Sequence, residues 1–400
     1  MVKVILKRGR DASLRRFHPW VFSGAVATVQ GTPAEGDIVA VYSSEGEYLA
    51  CGHYQVGSIA VRILSFDADP LSADFWKESI ARAVAVRAAV GLDCLHPGES
   101  NCFRLVHGEG DSLPGLIVDW YDGVCVMQAH SVGMFRAKSK ICEALKAVLG
   151  DSLKAVYDKS SGTAPFKAGL DLVDGYLYKA DGFSMQECPV LENGRKFLVN
   201  WEEGQKTGFF LDQRDNRALV GKYAAGRTVL NLFCYTGGFS IYALAAGAKS
   251  VDSVDSSAKA IRMVDRNIAL NGIDDSSRFH NYCEDAIEFL GRSEEGKYDL
   301  MIVDPPAFAK HRDALHNALR AYQRLNAAAI GKVAPGGLVF TFSCSQVVDK
   351  ISFANTIFSA AAQAGRSVRI LDRFCQGADH PVNIYHPEGE YLKGLLLYVE

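Results

Sequence analysis

The stretch Thr228–Ser240, TVLNLFCYTGGFS, limits what this chain can fold into more than any other. Val229, Leu230, Leu232 and Phe233 form a nearly continuous apolar run, as a parallel strand buried on both faces requires. Gly237 and Gly238 then break the run, and residues 239–246 resume as a helical segment. Glycine accepts positive φ and close backbone approach, so the turn reads either as a nucleotide cradle at a helix start or as a plain structural corner. Further along, SVDSVD, SRFHNY, DLMIVD and GLVFTFS alternate with helical segments, which predicts a doubly wound parallel sheet. Ligands of such sheets bind outside the carboxyl ends of the strands, where Asp255, Asp285, Asp304 and Cys344 fall in turn.

Each of these residues also has a plainer reading. Asp255 is placed to accept both ribose hydroxyls and Asp285 to face an adenine amino group, but either could cap the helix after it. Asp304, before Pro305-Pro306, could be a turn residue, and Cys344 in FSCSQ a small buried hydrophobe. Four polar or glycine features at successive strand ends of one crevice favour a ligand site. Upstream, QKTGFFLDQRDNR sets Lys206, Asp212, Gln213 and Arg214 close enough in sequence to fold over the same strand ends. It reads equally as a capped, solvated helix start.

With 400 residues the chain exceeds one ordinary core, and it divides into three predicted regions. Residues 1–68 are β-rich. The first sixteen residues set Lys3, Lys7, Arg8, Arg10, Arg15 and Arg16 against Asp11 alone, and Phe17, Trp20 and Phe22 follow. Cations screen phosphates and rings stack on bases, so this is the composition of an RNA-facing edge; the alternative is a solvated strand with core aromatics. Asp69-Pro70-Leu71 reads as a linker, and Ser72 as the cap of a helix running through Val90. Residues 69–186 form a predicted α+β domain with a helix over 134–149. In it Arg104, His107 and Asp119 read as surface or hydrogen-bonded groups. Asn193-Gly194 signals a hairpin, and residues 187–400 carry the doubly wound sheet. The formal charge of −3 confines any basic surface to a local patch. Ten cysteines without a C-x-x-C pair argue against zinc and fit a reduced compartment. No apolar run reaches the roughly 18 to 20 residues of a membrane span, so a cytoplasmic location is expected.

These motifs together resemble a known family. NLFCYTGGFS, VDSVDSS, IVDPPAFAK, FSCS, GQKTGFFLDQRDNR and the late DHPV make the chain similar to the bacterial 23S ribosomal RNA cytosine-C5 methyltransferases with an N-terminal PUA domain. The resemblance runs through all three regions. It implies a PUA-like RNA-binding module, a central α+β domain and a class I methyltransferase domain, with S-adenosylmethionine as cofactor. Asn231, Phe233, Tyr235, Thr236, Gly237, Asp255 and Ser256 would lie around that cofactor, and Asp285 beside its adenine. Asp212, Gln213, Arg214 and Asp304 would border it, with Lys206 facing RNA alongside Arg8, Arg10, Arg15 and Trp20. The partner implied is 23S ribosomal RNA or the assembling large subunit, with a homodimer one open option and no membrane.

Cytosine C5 is a poor nucleophile, and adding a thiolate at C6 makes it enamine-like. Cys344 is the residue expected to supply that thiolate, and Asp304 to bond the N3 and N4 edge. FSCSQ offers no neighbouring His or Lys to lower the thiol pKa, so that help must come from spatial neighbours. Cys375, Asp379 and His380 are candidates to remove the C5 proton. D-P-P also resembles enzymes that methylate exocyclic amines, and a non-catalytic ribosome-assembly protein is a third reading. TGGF lacks the G-x-G-x-x-G of a dehydrogenase.

Overall fold

The computed structural model describes residues 1–67, 72–165, 169–185, 187–309 and 311–400. The predicted Asp69-Pro70-Leu71 linker lies outside these residues. Two compact units form, one from Met1–Val190, Val199–Leu211 and Ala378–Gly389, the other from Leu191–Leu198, Asp212–Gly377 and Glu390–Glu400.

The first unit opens with β1 (Val2–Leu6), β2 (Trp20–Phe22), β3 (Val26–Gln30), β4 (Ile38–Tyr42), β5 (Tyr48–Tyr54) and β6 (Ile59–Ser65). They form one sheet in the order β2-β6-β5-β4-β1-β3, with β1 and β4 parallel and the other pairs antiparallel. Val4, Leu6, Val39, Val41 and Ile63 fill its core. Helix α1 (Phe75–Ala89) follows, preceded by Asp74 rather than Ser72 at its start. A second sheet, β7 (Cys102–His107), β8 (Leu116–Tyr121), β9 (Val124–Ala129), β10 (Ala155–Asp158) and β11 (Gly175–Lys179), runs in sequence order and packs its apolar face with α1. The helix predicted over 134–149 is two, α2 (Val132–Arg136) and α3 (Lys138–Leu149), split at Ala137. Residues 378–389 return to this unit. Asp379 accepts from Arg104 N at 3.0 Å, and its carbonyl accepts from Arg87 Nη2 at 2.8 Å.

A hairpin, β12 (Cys188–Glu192) and β13 (Arg195–Val199), turns through Asn193 (φ 47°) and Gly194 (φ 73°). Both central residues take positive φ, the geometry that matches the twist of a tight hairpin.

The second unit is built on seven strands, β14 (Thr228–Leu232), β15 (Ser250–Asp255), β16 (Phe279–Cys283), β17 (Tyr298–Val303), β18 (Val333–Ser343), β19 (Val368–Phe374) and β20 (Lys393–Val399). Their order is β16-β15-β14-β17-β18-β20-β19. The pairs from β16 to β18 are parallel, and β20 inserts antiparallel between β18 and β19. Helices α4 (Arg214–Ala224), α5 (Gly238–Ala245), α6 (Ala258–Leu270), α7 (Ala286–Arg292), α8 (Leu315–Lys332) and α9 (Lys350–Ala364) connect them. Leu230, Leu232, Met301, Val303 and Val339 are fully buried, which explains why these strands read as apolar runs.

Beneath the glycine turn, Arg217 and Glu192 are sealed from water as a two-pronged pair, Nε to Oε1 at 2.7 Å and Nη2 to Oε2 at 2.5 Å. Tyr242 Oη adds a third donor to Glu192 Oε1 at 3.0 Å. Removing one partner strands a buried charge, so Glu192→Ala is expected to cost about 3–5 kcal/mol by urea unfolding. The double change Glu192→Leu with Arg217→Met should cost far less; equal losses would show that the pair's charges are not what matters.

In the first unit His53 is 4% exposed and stacked against Trp76, with ring centroids 6.4 Å apart. Burial pulls its pKa down to about 4. The unfolded chain therefore takes up this proton first, and stability present above about pH 6.5 drains away as pH falls toward 4, by up to about 1.4 kcal/mol per pH unit. His53→Gln should flatten that slope in unfolding curves collected across this range.

Candidate active site

After β14 the chain takes left-handed φ at Phe233 (58°), Tyr235 (48°) and Gly237 (82°). Non-glycine residues enter this region only when their surroundings hold them there. Three bonds do so: Cys234 N to Val254 O at 3.0 Å, Tyr235 N to Asp255 Oδ2 at 2.9 Å, and Asn267 Nδ2 to Thr236 O at 2.9 Å. Asp255 Oδ1 accepts from Ser257 N at 2.9 Å. The cap of α6 is Ser257, whose hydroxyl accepts from Ala260 N, so Asp255 instead clamps the loop from the end of the neighbouring strand. Each carboxylate oxygen has two lone pairs, which leaves Asp255 able to accept ribose hydroxyls as well.

Gly237 and Gly238 are required from below. A Cβ on Gly237 would lie 2.9 Å from Val264 Cγ1, and one on Gly238 2.9 Å from Arg217 Cδ. Asn231, 1% exposed, donates to Ser240 Oγ at 2.9 Å. Its Oδ1, like Thr236 Oγ1, is buried and finds no hydrogen-bond partner among the described residues. Buried polar atoms normally find partners, so this pair, on the strand end and in the turn, fits a polar ligand seated there.

On the other side of β14, Gln213 Nε2 donates to Asp304 Oδ2 at 3.0 Å. Asn216 Nδ2 holds Gln213 Oε1 at 2.6 Å and also reaches the Cys375 carbonyl at 3.4 Å. Tyr391 Oη donates to Asp212 Oδ2 at 2.7 Å, and buried Arg214 lies 3.2 Å from Asp215. β17 and β18 are adjacent, so Asp304 and Cys344 leave neighbouring strand ends. Ser345 Oγ ties the two loops by donating to Ala309 O at 2.6 Å. Cys344 is half-buried; Ser343 beside it donates to Tyr322 Oη at 3.0 Å. Burial raises the Tyr322 phenol to about 12, so it stays neutral here.

Other predicted residues fall elsewhere. Exposed Asp285 caps α7, accepting from Ile287 N and Glu288 N through Oδ1, and Ser256 is exposed at the end of β15. The 205–217 segment divides between the units, with Lys206 in the first and Asp212, Gln213 and Arg214 in the second. Asp379 and His380 are buried in the first unit, whereas Cys375 belongs to the second. Arg8 and Arg10 are exposed, while Arg15 is paired with Asp11 and Glu47. Trp20 is half-buried: its Nε1 donates to Glu109 at 2.9 Å and its ring lies 4.3 Å from that of His386. Phe17 and Phe22 are the exposed aromatics of that segment.

His18, His386 and Glu388 also gather in the first unit, with His18 Nε2 3.8 Å from Glu388. His18 Nδ1 lies 3.2 Å from Trp20 N and 3.4 Å from Trp20 O, so the Trp20 backbone holds the ring.

Tyr391 and Lys393 were missed by sequence reasoning. They lie well over a hundred residues from Asp212 and nearly fifty from Ser345, and the YLKG segment carries no spacing that points to either.

The strand order and the clamped turn define a class I S-adenosylmethionine-dependent methyltransferase with a PUA-like module. Residues 103–384 match the S-adenosylmethionine-dependent methyltransferase family, and residues 4–66 match the PUA-like domain. The chain is 40% identical over 401 residues to ribosomal RNA large subunit methyltransferase I of Alteromonas mediterranea, covering 99% of this chain and 98% of that protein. It is 39% identical over 406 residues to the protein of the same name from Shewanella amazonensis, covering 100% and 99%. The chain belongs to this ribosomal RNA large subunit methyltransferase I family. Its fold is shared, at 22% identity and over 100% of both chains, by a Streptococcus mutans methyltransferase structure (TM-score 0.83) and by a methyltransferase crystallised with SAH (TM-score 0.85).

S-Adenosylmethionine is the cofactor, and Asn231, Thr236 and Asp255 are the residues whose chemistry fits it. Losing a hydrogen bond to a charged group costs about 1.5–3 kcal/mol, so Asp255→Ala should weaken S-adenosylhomocysteine binding roughly 10- to 100-fold in calorimetry. Asp285→Ala should weaken it less.

Proposed function

We propose that this protein methylates C5 of a cytosine in large-subunit ribosomal RNA, through a covalent bond from Cys344 to C6. The observation that carries this reading is the Ser345–Ala309 hydrogen bond. It fixes the loop bearing the thiol against the loop bearing Asp304, at adjacent strand ends. Relatives named for large-subunit ribosomal RNA support the substrate, and the PUA-like module supports RNA binding.

Bound S-adenosylmethionine supplies an electrophilic methyl group. The Cys344 thiolate adds to C6, the C5–C6 π pair moves into a C4–C5 double bond and the C4–N3 π pair moves onto N3, leaving C5 enamine-like and nucleophilic. Asp304, oriented by Gln213, accepts from N4–H and, when protonated, donates to N3, stabilising the charge that addition pushes onto the ring. Once C5 carries the methyl group, loss of the C5 proton restores the C5–C6 double bond and expels the cysteine. The base must leave its stack to expose C6.

Cys344→Ala should abolish 5-methylcytidine formation while S-adenosylhomocysteine binding persists. RNA containing 5-fluorocytidine should trap a denaturant-stable adduct with the wild type alone, because fluorine cannot leave C5 as a proton does. Full methylation by Cys344→Ala would sink the nucleophile assignment. Methylation of an exocyclic amine in the same assay would replace the C5 reading.

A further inference from the structure

A free cysteine holds its proton to about pH 8.5, so a nucleophilic Cys344 needs a cation nearby. The fold supplies one that lies far away in sequence. β20 runs antiparallel to β18, so it begins where β18 ends, and its first residue, Lys393, pairs directly with Ser343 across the ladder. The Lys393 side chain is only 5% exposed. Its Nζ donates to Ser345 O at 2.6 Å and Tyr391 O at 2.5 Å, which fixes the ammonium one residue from the thiol.

Carbonyls orient a buried ammonium without neutralising it, and an uncompensated buried charge is costly. Among the described residues no carboxylate forms an ion pair with Lys393. Two carboxylates face it, but both are occupied: Glu390 pairs with Lys350 at 2.5 Å, and Asp349 caps α9 through Ser352 N at 2.8 Å. From α8, neutral Tyr322 faces Cys344, with Asp304 also near that phenol. The other titratable group favouring the Lys393 ammonium is the thiol of Cys344.

We propose that Lys393 is a positioning residue that holds Cys344 as its thiolate in the resting enzyme, the two forming an ammonium–thiolate pair. The proposal rests on the reading of Cys344 as nucleophile and deepens it. The electrostatics agree: burial draws Lys393 down to about 8, and the negative charge of Cys344 is the largest influence pushing it back up. The thiol proton leaves to solvent while the ammonium keeps its own, so the pair passes from a net charge of +1 to 0.

The test is iodoacetamide alkylation from pH 5 to 10, read cysteine by cysteine by peptide mass spectrometry, without RNA or methyl donor. Exposed Cys283 and Cys375 serve as internal references. In the wild type the Cys344 midpoint should fall below that of an ordinary thiol. Lys393→Met should raise it by at least about one pH unit, slowing alkylation near neutrality about tenfold. Lys393→Arg should restore most of the shift, and the reference cysteines should not move. A purely structural lysine would change the Cys344 rate by the same factor at every pH, and that result overturns the proposal. If Lys393→Met does not fold, a wild-type midpoint at or above the ordinary thiol value overturns it equally. Because alkylation needs no turnover, methylation retained by Cys344→Ala would remove the nucleophile reading without deciding this one.

Discussion

The glycine turn at the centre of the second unit rests on a buried ion pair. Arg217 lies under the turn so closely that residue 238 can carry no Cβ, and Glu192, at the end of β12, neutralises it from the hairpin side. A well-packed apolar pair could fill the same volume at similar stability. What the pair adds is direction, since a guanidinium fork accepts a carboxylate in one plane and so fixes where the hairpin tip, α4 and the first turn of α5 meet. Tyr242, on α5, bonds the same carboxylate and closes the set. The two glycines are thus demanded by the packing below them, Val264 for Gly237 and Arg217 for Gly238.

The loop above this foundation is strained by design. Left-handed Phe233 and Tyr235 each cost on the order of 1–3 kcal/mol. The hydrogen bonds at Cys234, Tyr235 and Thr236, two with the end of β15 and one with α6, offset that cost. Asp255 is central because one carboxylate oxygen holds the strained loop and the other holds the start of α6. On the proposal that Asp255 also accepts the ribose hydroxyls, loop geometry and cofactor affinity should be sensitive to the same side chain.

Much of the second unit was legible in the sequence because its signals are local. Apolar runs ending in Gly, Asp or Cys, separated by helical segments, already describe a parallel sheet with its functional rim, and Asn193-Gly194 describes its own turn. What escaped was set by contacts distant in sequence. Trp20 reads as a stacking surface in a basic, aromatic stretch; in the structure it is half-buried, with Glu109 and His386 against it, and Phe17 and Phe22 are exposed. Asp379 and His380 follow the sixth strand of the sheet, but the chain carries them back to the first unit, where Arg87 and Arg104 bind the 379 backbone and side chain. The single helix expected over 134–149 breaks at Ala137, a residue with no breaking tendency, so tertiary packing decides that boundary rather than propensity.

The reversed strand β20 explains why the site needs residues from the very end of the chain. In a parallel sheet every strand delivers its last residues to the functional rim and its first residues to the opposite edge. A strand inserted antiparallel inverts this, and β20 brings its beginning to the rim. Tyr391 and Lys393 arrive there together. The first reaches Asp212, in the segment that leads to Gln213 and Asp304; the second reaches the carbonyl of Ser345, in the loop of Cys344. One short stretch therefore spans both sides of the proposed chemistry. A parallel strand in the same place would carry its first residue, Lys393, to the opposite edge of the sheet, away from the Cys344 loop.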